Sequence, residues 1–391
     1  MCSTPTRSDP GDNVTVAERV YLDNAATTFL APEVLATMQP WLARPTANAS
    51  STHSLGQQAR RAVEEARERI AGALGAHPRE IVLTGTGTEA DNLAVRGVLS
   101  ARPGPLVTSP AEHHAVLEPA LALARQGAPV RWTPVGAHGA VTPAGVEELL
   151  PGASLASLML ANNETGAVTD IAAISDLARR EGVLVHTDAV QALGVMDVDV
   201  NRLGVDLLTI SAHKVHGPTG AAALYVRSGT PLNPLILGGG QEWGLRPGTF
   251  NVPAIVGMGV AVERATAGWR ETQGQLNERR DRLLTGLRAA PGVEVHSPAV
   301  TACPKVVTIT VTDWQSDDLI AALDLRGFVV SAGSACTSGA VEPSHVLLAA
   351  GVPAERARGA LRISASARTT SGEIDALLDA LREVLSSAQR R

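Results

Sequence analysis

Between Gly56 and Leu74 the apolar positions Ala59, Val63, Ala66, Ile70 and Leu74 step by three and four residues, the spacing of one helix face. Glu65 and Arg69 add an i,i+4 pair on that helix, and Gly75 stands where it should end. Shorter apolar runs then alternate with helical stretches. Glu80–Thr84, Pro105–Ser109, Ser154–Leu160, Gly182–His186 and Asp206–Ile210 read as buried strands. Helical patterns over Glu89–Leu99, Glu112–Arg125 and Asp170–Arg180 lie between them. This alternation predicts right-handed βαβ units and a mostly parallel sheet. Val20-Tyr21-Leu22 gives a short opening strand. Val252–Arg264 and Leu276–Leu287 read as helices, Lys305–Val311 and Phe328–Ser331 as strands, and Asp317–Leu325 as a helix. Thr370 and Glu373 form a capping box before a last helix with Ile374, Leu377, Leu378 and Leu381 on one face. The expected organisation is a mobile extension over 1–19, a large α/β domain over 31–260 and a smaller α+β domain over 261–391, joined by 20–30.

The predicted strands end in polar residues. They run into Gly85-Thr86-Gly87-Thr88, Glu112-His113-His114, Asn162-Asn163-Glu164-Thr165-Gly166, Thr187-Asp188-Ala189-Val190-Gln191 and Ser211-Ala212-His213-Lys214. One such residue is commonly a helix cap or turn former. Five strand ends delivered to one sheet edge, with a Lys, an Asp and a His among them, point to an active site. The glycines before the second helix let backbone N–H groups face an anion, with Thr88 adding a hydroxyl. Taken alone that is a weak signal, since many βα turns carry two glycines, and neither a Walker loop nor a dinucleotide fingerprint is present.

These residue types suit pyridoxal phosphate: a phosphate cradle at Gly87 and Thr88, the Lys214 amine for the aldehyde, the Asp188 carboxylate for the pyridine nitrogen, and His113 to stack on the ring. Lysines are few among the 33 basic residues, so Lys214 stands where amine chemistry is needed that arginine cannot do. Asp188 and His113 could each be an ordinary helix cap. Farther on, Gly238-Gly239-Gly240-Gln241-Glu242-Trp243-Gly244-Leu245-Arg246-Pro247-Gly248-Thr249 is a flexible run suited to close approach to a ligand or partner subunit.

Composition narrows the setting. A formal net charge of −6 does not suggest a nucleic-acid surface. No apolar run approaches the length of a membrane span, and Asp9, Asp12 and Glu18 interrupt any signal-peptide core, so a cytoplasmic location is expected. Cys2, Cys303 and Cys336 make neither a disulfide framework nor a metal set. Cys336 sits in Ser331-Ala332-Gly333-Ser334-Ala335-Cys336-Thr337-Ser338-Gly339, whose small residues would let one thiol visit two places.

Together, Tyr21-Leu22-Asp23-Asn24-Ala25-Ala26-Thr27-Thr28, Asn162–Gly166, Ser211–Lys214 and Ser331–Ser338 resemble the signatures of cysteine desulfurases of the NifS/IscS kind, in the group with a long cysteine loop. The resemblance implies a fold-type-I pyridoxal phosphate enzyme and a homodimer. It implies Lys214 as the cofactor's lysine, Asp188 for the pyridine nitrogen, His113 for stacking and Gln191 for the ring hydroxyl. Gly87, Thr88, Ser211 and His213 match phosphate positions, and Thr249 the one supplied by the other subunit. Asn163 and Arg362 match positions that hold the substrate carboxylate, and Cys336 the thiol that takes sulfur from L-cysteine and passes it to an acceptor protein. Such acceptors serve Fe–S assembly, tRNA thiolation or DNA sulfur modification. A selenocysteine lyase or aminotransferase on the same scaffold, or a scaffold without turnover, shares most of these residues. Pro247 stands where the resemblance expects Ser.

Overall fold

A computed structural model describes residues 19–43, 47–333 and 342–388; the extension expected over 1–19 falls outside them except for Arg19. The strands are β1 (Val20–Tyr21), β2 (Ile81–Thr84), β3 (Leu106–Thr108), β4 (Val130–Trp132), β5 (Leu155–Ser157), β6 (Leu184–Asp188), β7 (Leu207–Ser211) and β8 (Ala222–Val226). They continue with β9 (Val293–Val295), β10 (Val306–Val311), β11 (Phe328–Val329) and β12 (Ala360–Ser364). A seven-stranded sheet has the order β2-β8-β7-β6-β5-β3-β4. β4, β3, β5, β6 and β7 are parallel, while β8 is antiparallel to both β7 and β2. The carboxyl ends of β2, β3, β5, β6 and β7 therefore share one edge, as the alternation predicted.

The parallel strands are short, and the central ones, β3, β5 and β7, are buried throughout, as a sheet covered on both faces requires; β4 at the edge is only partly buried. The run over Ser154–Leu160 forms ladder structure only at Leu155–Ser157, yet Leu158 and Leu160 still donate to His186 and Asp188 carbonyls, so the chain stays aligned with β6. Strands β4, β8, β9 and β12 and the helix Pro32–Ala43 were not anticipated. That helix contains Pro40 and buries only Val34 and Met38, which leaves little periodic signal.

The helix Ser54–Leu74 buries Ala59, Val63, Ala66, Ile70 and Leu74 and ends at Gly75, whose φ of 70° is left-handed. It packs along the helix Val252–Ala267. A Cβ on Gly259 would lie 2.9 Å from the Ala66 Cα, so the two backbones meet there because glycine has none. On the same helix Arg67 is buried and pairs with buried Glu242, Nη2 to Oε1 at 2.6 Å. Glu242 also accepts from the Leu83 N–H at 2.7 Å, and Trp243 lies under the guanidinium at 4.9 Å. The pair pins the glycine-rich run, where Glu242 and Trp243 both adopt positive φ.

A second sheet, β12-β10-β9, is antiparallel. Its apolar cluster joins Ile309, Leu361 and Leu377 to Leu22 from the chain's opening, and β1 pairs in parallel with β11. The final helix begins as its capping box predicted: the Glu373 carboxylate accepts from Thr370 N–H at 2.6 Å and Thr370 Oγ1 from Glu373 N–H at 3.2 Å. Position 260 lies inside the helix Val252–Ala267, whose Ala261 and Val262 belong to the first core. The change of core comes along the next helix, Trp269–Arg288, between Leu276 and Leu283.

Glu242→Gln would leave the Arg67 charge buried with only half-exposed Glu64 beside it. The expected cost is about 3–5 kcal/mol in denaturant unfolding, with most of it recovered when Arg67→Met is added.

Candidate active site

At the shared strand edge lies a cavity of about 380 Å³, within the size range of small-molecule sites. Gly87, Thr88, His113, Asn163, Asp188, Gln191, Ser211, His213, Lys214 and Arg362 all line it. Ten of the expected site residues, from six separate stretches of chain, are thus brought together. Thr249 is exposed and is not among the lining residues. Cys336 lies outside the described residues; Gly333, the last described residue before it, has its carbonyl 3.3 Å from Arg362 Nη1.

Lys214 occupies the turn that follows β7. Its Nζ donates to the carbonyls of Ala25 and Ala26 at 2.6 and 2.7 Å. Its pKa is lowered to about 7, by burial first and then by the charges of Lys305 and Arg362, with Asp188 and Asp23 opposing them. Near neutrality this amine is therefore substantially uncharged, as a nucleophile must be.

Asp188 ends β6, and its Oδ1 accepts from the Val190 N–H at 2.8 Å. Burial raises it to about 6, against the Val190 bond and the Lys214 charge. One polar atom each of Asp188, Asp91 and His113 lie within 4.8 Å of one another. Asp91 is driven well above the usual carboxylate range, first by burial and then by Asp188. Two carboxylates this close in a dry setting do not both ionise; Asp91 holds the proton, and Asp188, with a backbone donor and an amine nearby, is the one that carries charge.

His113 is the N-cap of the helix His114–Arg125, where its Nδ1 accepts from the Ala115 N–H at 3.1 Å. It is both the cap that its position allowed and a wall of the cavity. Burial first, then Lys214, lowers it to about 4, so the ring is neutral with its proton on Nε2. His213 is likewise lowered to about 4, chiefly by burial, with Nδ1 3.2 Å from Thr27 Oγ1. The helix expected from Glu89 begins at Gly87, with Thr86 as its N-cap, so the free N–H groups of its first turn open at Gly87 and Thr88.

Gln191 donates to the Ala25 carbonyl at 2.9 Å, which leaves its Oε1 buried without a partner. Asn163 Oδ1 and Arg362 Nε are also buried and unpartnered, while Arg362 Nη2 pairs with Asp23 Oδ1 at 3.0 Å. Unsatisfied buried donors and acceptors around a cavity are the mark of a polar ligand. Together with a helix N-terminus, an uncharged amine and a buried carboxylate, they fit pyridoxal phosphate.

Asp91, Glu112, His114, Glu164 and His345 also line or back the cavity and had no assigned role. Asp91 stands three residues after Thr88 on one helix, which puts it on the same face; that spacing was readable. His345 was not, because only the tertiary fold places its Nε2 2.8 Å from the Glu112 carbonyl.

The aminotransferase class-V family matches residues 20–377. The cysteine desulfurase IscS of Dictyoglomus turgidum is 42% identical over 371 residues, 94% of each chain. The chain belongs to the class-V aminotransferase family, among the cysteine desulfurases. A solved NifS-like protein superposes with a TM-score of 0.88 at 36% identity, covering 94% of this chain and 99% of that one. The structure of SspA in complex with cysteine gives 0.78 at 36% identity over 90% and 99%. Pyridoxal phosphate is the cofactor of this family. Among the described residues no helix is long and apolar enough to cross a membrane.

Behind Asp188, buried His186 places Nδ1 2.8 Å from Ser157 Oγ and Nε2 3.1 Å from Thr209 Oγ1, and burial lowers its pKa from 6.5 to about 3. The unfolded chain binds the extra proton between these values, so this contribution is present above 6.5 and lost as pH falls toward 3. His186→Gln should remove that loss: across the window its unfolding free energy falls less steeply than wild type, by up to about 1.4 kcal/mol per pH unit.

Proposed function

We propose that this protein is a pyridoxal-phosphate-dependent cysteine desulfurase that takes sulfur from free L-cysteine, releases L-alanine and carries the sulfur as a persulfide on Cys336 to an acceptor protein. The observation that carries the reading is one cavity holding the Lys214 amine, the Asp188 carboxylate, the neutral His113 ring and the Arg362 guanidinium, with the carbonyl of Gly333, three residues before Cys336, held by that guanidinium.

Bound there, the cofactor supplies an electron sink that weakens the bonds at the substrate's α- and β-carbons. Lys214 holds the cofactor at rest and, once released, moves the proton at the substrate Cα. Asp188 keeps the pyridine nitrogen protonated. Gly87, Thr88, Ser211 and His213 hold the phosphate, and Gln191 the ring hydroxyl. Arg362 and Asn163 take the substrate carboxylate; the unpartnered Arg362 Nε and Asn163 Oδ1 are what a charged amino acid would satisfy. His113 exchanges a proton with the substrate through Nε2, because its Nδ1 is committed to Ala115. The Cys336 thiolate bonds to the substrate sulfur as the carbon–sulfur bond breaks, its electron pair returns to carbon, and proton uptake there gives alanine.

A homodimer with Thr249 reaching the neighbouring site is part of the proposal. Ile236, Leu237 and Trp243 are exposed on the same segment, an apolar surface suited to a second copy. A reducing cytoplasm, with an acceptor from Fe–S assembly, tRNA thiolation or DNA sulfur modification, suits a persulfide carrier.

Wild type supplied with L-cysteine and a reductant should yield sulfide and alanine in equal amounts. Cys336→Ala should fall to background while keeping the cofactor's absorbance, and full sulfide production by that variant would overturn the persulfide route. Arg362→Ala should raise KM more than it lowers kcat.

A further inference from the structure

The 33 basic side chains include only two lysines, Lys214 and Lys305, and the fold brings these two together. Lys305 precedes β10 and is 5% exposed. Its Nζ donates to the main-chain carbonyl of Lys214 at 3.0 Å, and its own carbonyl accepts from the Ala365 N–H at 2.9 Å just after β12, which fixes it to the second sheet. The groups that face it are Lys214, His213 and His216 on the turn after β7, Arg362 on β12, and Cys303. None of these is a carboxylate, and burial holds the Cys303 thiol above its usual value and so uncharged.

We propose that Lys305 is a positioning residue for Lys214: its buried ammonium, which has no carboxylate partner among the described residues, holds the Lys214 backbone and, by repulsion, keeps the neighbouring side-chain amine uncharged. The inference rests on the reading that Lys214 is the cofactor's lysine. Arginine serves as the cation at every other basic position, and a compact ammonium suits a site one carbonyl away from a reacting amine. The mechanism is that of a catalytic amine tuned by a second cation. The remaining charges around Lys214 are Arg362, which acts with Lys305, and Asp188 and Asp23, which act against it. Burial lowers Lys305 as well, while Lys214 bears the added repulsion of both Lys305 and Arg362.

The test uses the full-length protein freed of cofactor. With two lysines in the chain, the pH dependence of acetic anhydride labelling at Lys214, read by peptide mass spectrometry, gives the midpoint for that amine directly. Lys305→Gln keeps a donor for the Lys214 carbonyl but removes the charge, and Lys305→Met removes both. In both variants the midpoint should move up by about one pH unit, cutting the uncharged fraction at neutrality about fivefold, and Lys305→Arg should restore it. A midpoint unchanged in Lys305→Gln overturns the proposal and leaves a structural role only. Absorbance after adding pyridoxal phosphate checks the reading beneath it: no uptake by wild type would sink that reading, while the labelling still decides what Lys305 does to Lys214.

Discussion

Exclusion of water from a cluster of cations is the constraint on which the rest of this structure depends. Lys214, Lys305 and Arg362 are all buried or nearly so, and Asp188 and Asp23 are the carboxylates that bear on the Lys214 amine. An amine in that setting is uncharged near neutrality because hydration cannot repay its charge and neighbouring cations oppose it. No single part of the fold makes the setting. The large sheet delivers Lys214 and Asp188 at the ends of β7 and β6, the second sheet delivers Arg362 and Lys305, and the opening strand threads past both to offer the Ala25 and Ala26 carbonyls. The two apolar cores are therefore functional partners: a shift of one against the other would move cations relative to the amine.

On the far side of the cavity the problem is reversed, since carboxylates must be buried without mutual repulsion. Asp91, Glu112 and Asp188 are all pushed above their usual range by burial. Their arrangement gives each a different outcome. Glu112 accepts from the Met159 N–H at 2.9 Å, Asp188 has the Val190 donor, and Asp91 has an unpartnered oxygen and so keeps its proton. His186 completes the layer as a neutral ring that bridges Ser157 and Thr209. A neutral support behind one charged carboxylate leaves Asp188 free to serve a protonated ring nitrogen.

The sheet was legible in the sequence because a parallel strand buried on both faces is an apolar run whatever its neighbours, and the polar residues that follow each run fall at one edge by topology alone. Lys214, Asp188, His113, Gly87 and Thr88 could be found on those grounds; Asn163, Gln191, Ser211, His213 and Arg362 came only with the family resemblance. Strands β9 and β12 and the antiparallel placement of β8 were not legible, because pairing direction depends on long-range contacts that no local spacing encodes. Lys305 and His345 were missed for the same reason. A lysine before a strand or a histidine at a helix start is unremarkable until the fold sets it beside a carbonyl of the site.

The surroundings of Glu164 tie these parts to the segment that carries Cys336. Its buried carboxylate accepts from the Ser344 hydroxyl, and a Cβ on Gly333 would come within 2.6 Å of its Oε2. Gly333 and Ser344 flank the cysteine segment, so the chain departs from and returns to the same carboxylate. The carbonyl of Glu164 accepts from Thr308 Oγ1 on β10, and Arg362 reaches the carbonyls of both Asn163 and Gly333 at 3.3 Å. Any side chain at Gly333 would displace one flank against that carboxylate. The group proposed to hold the substrate's carboxylate thus also holds the root of the segment proposed to receive its sulfur.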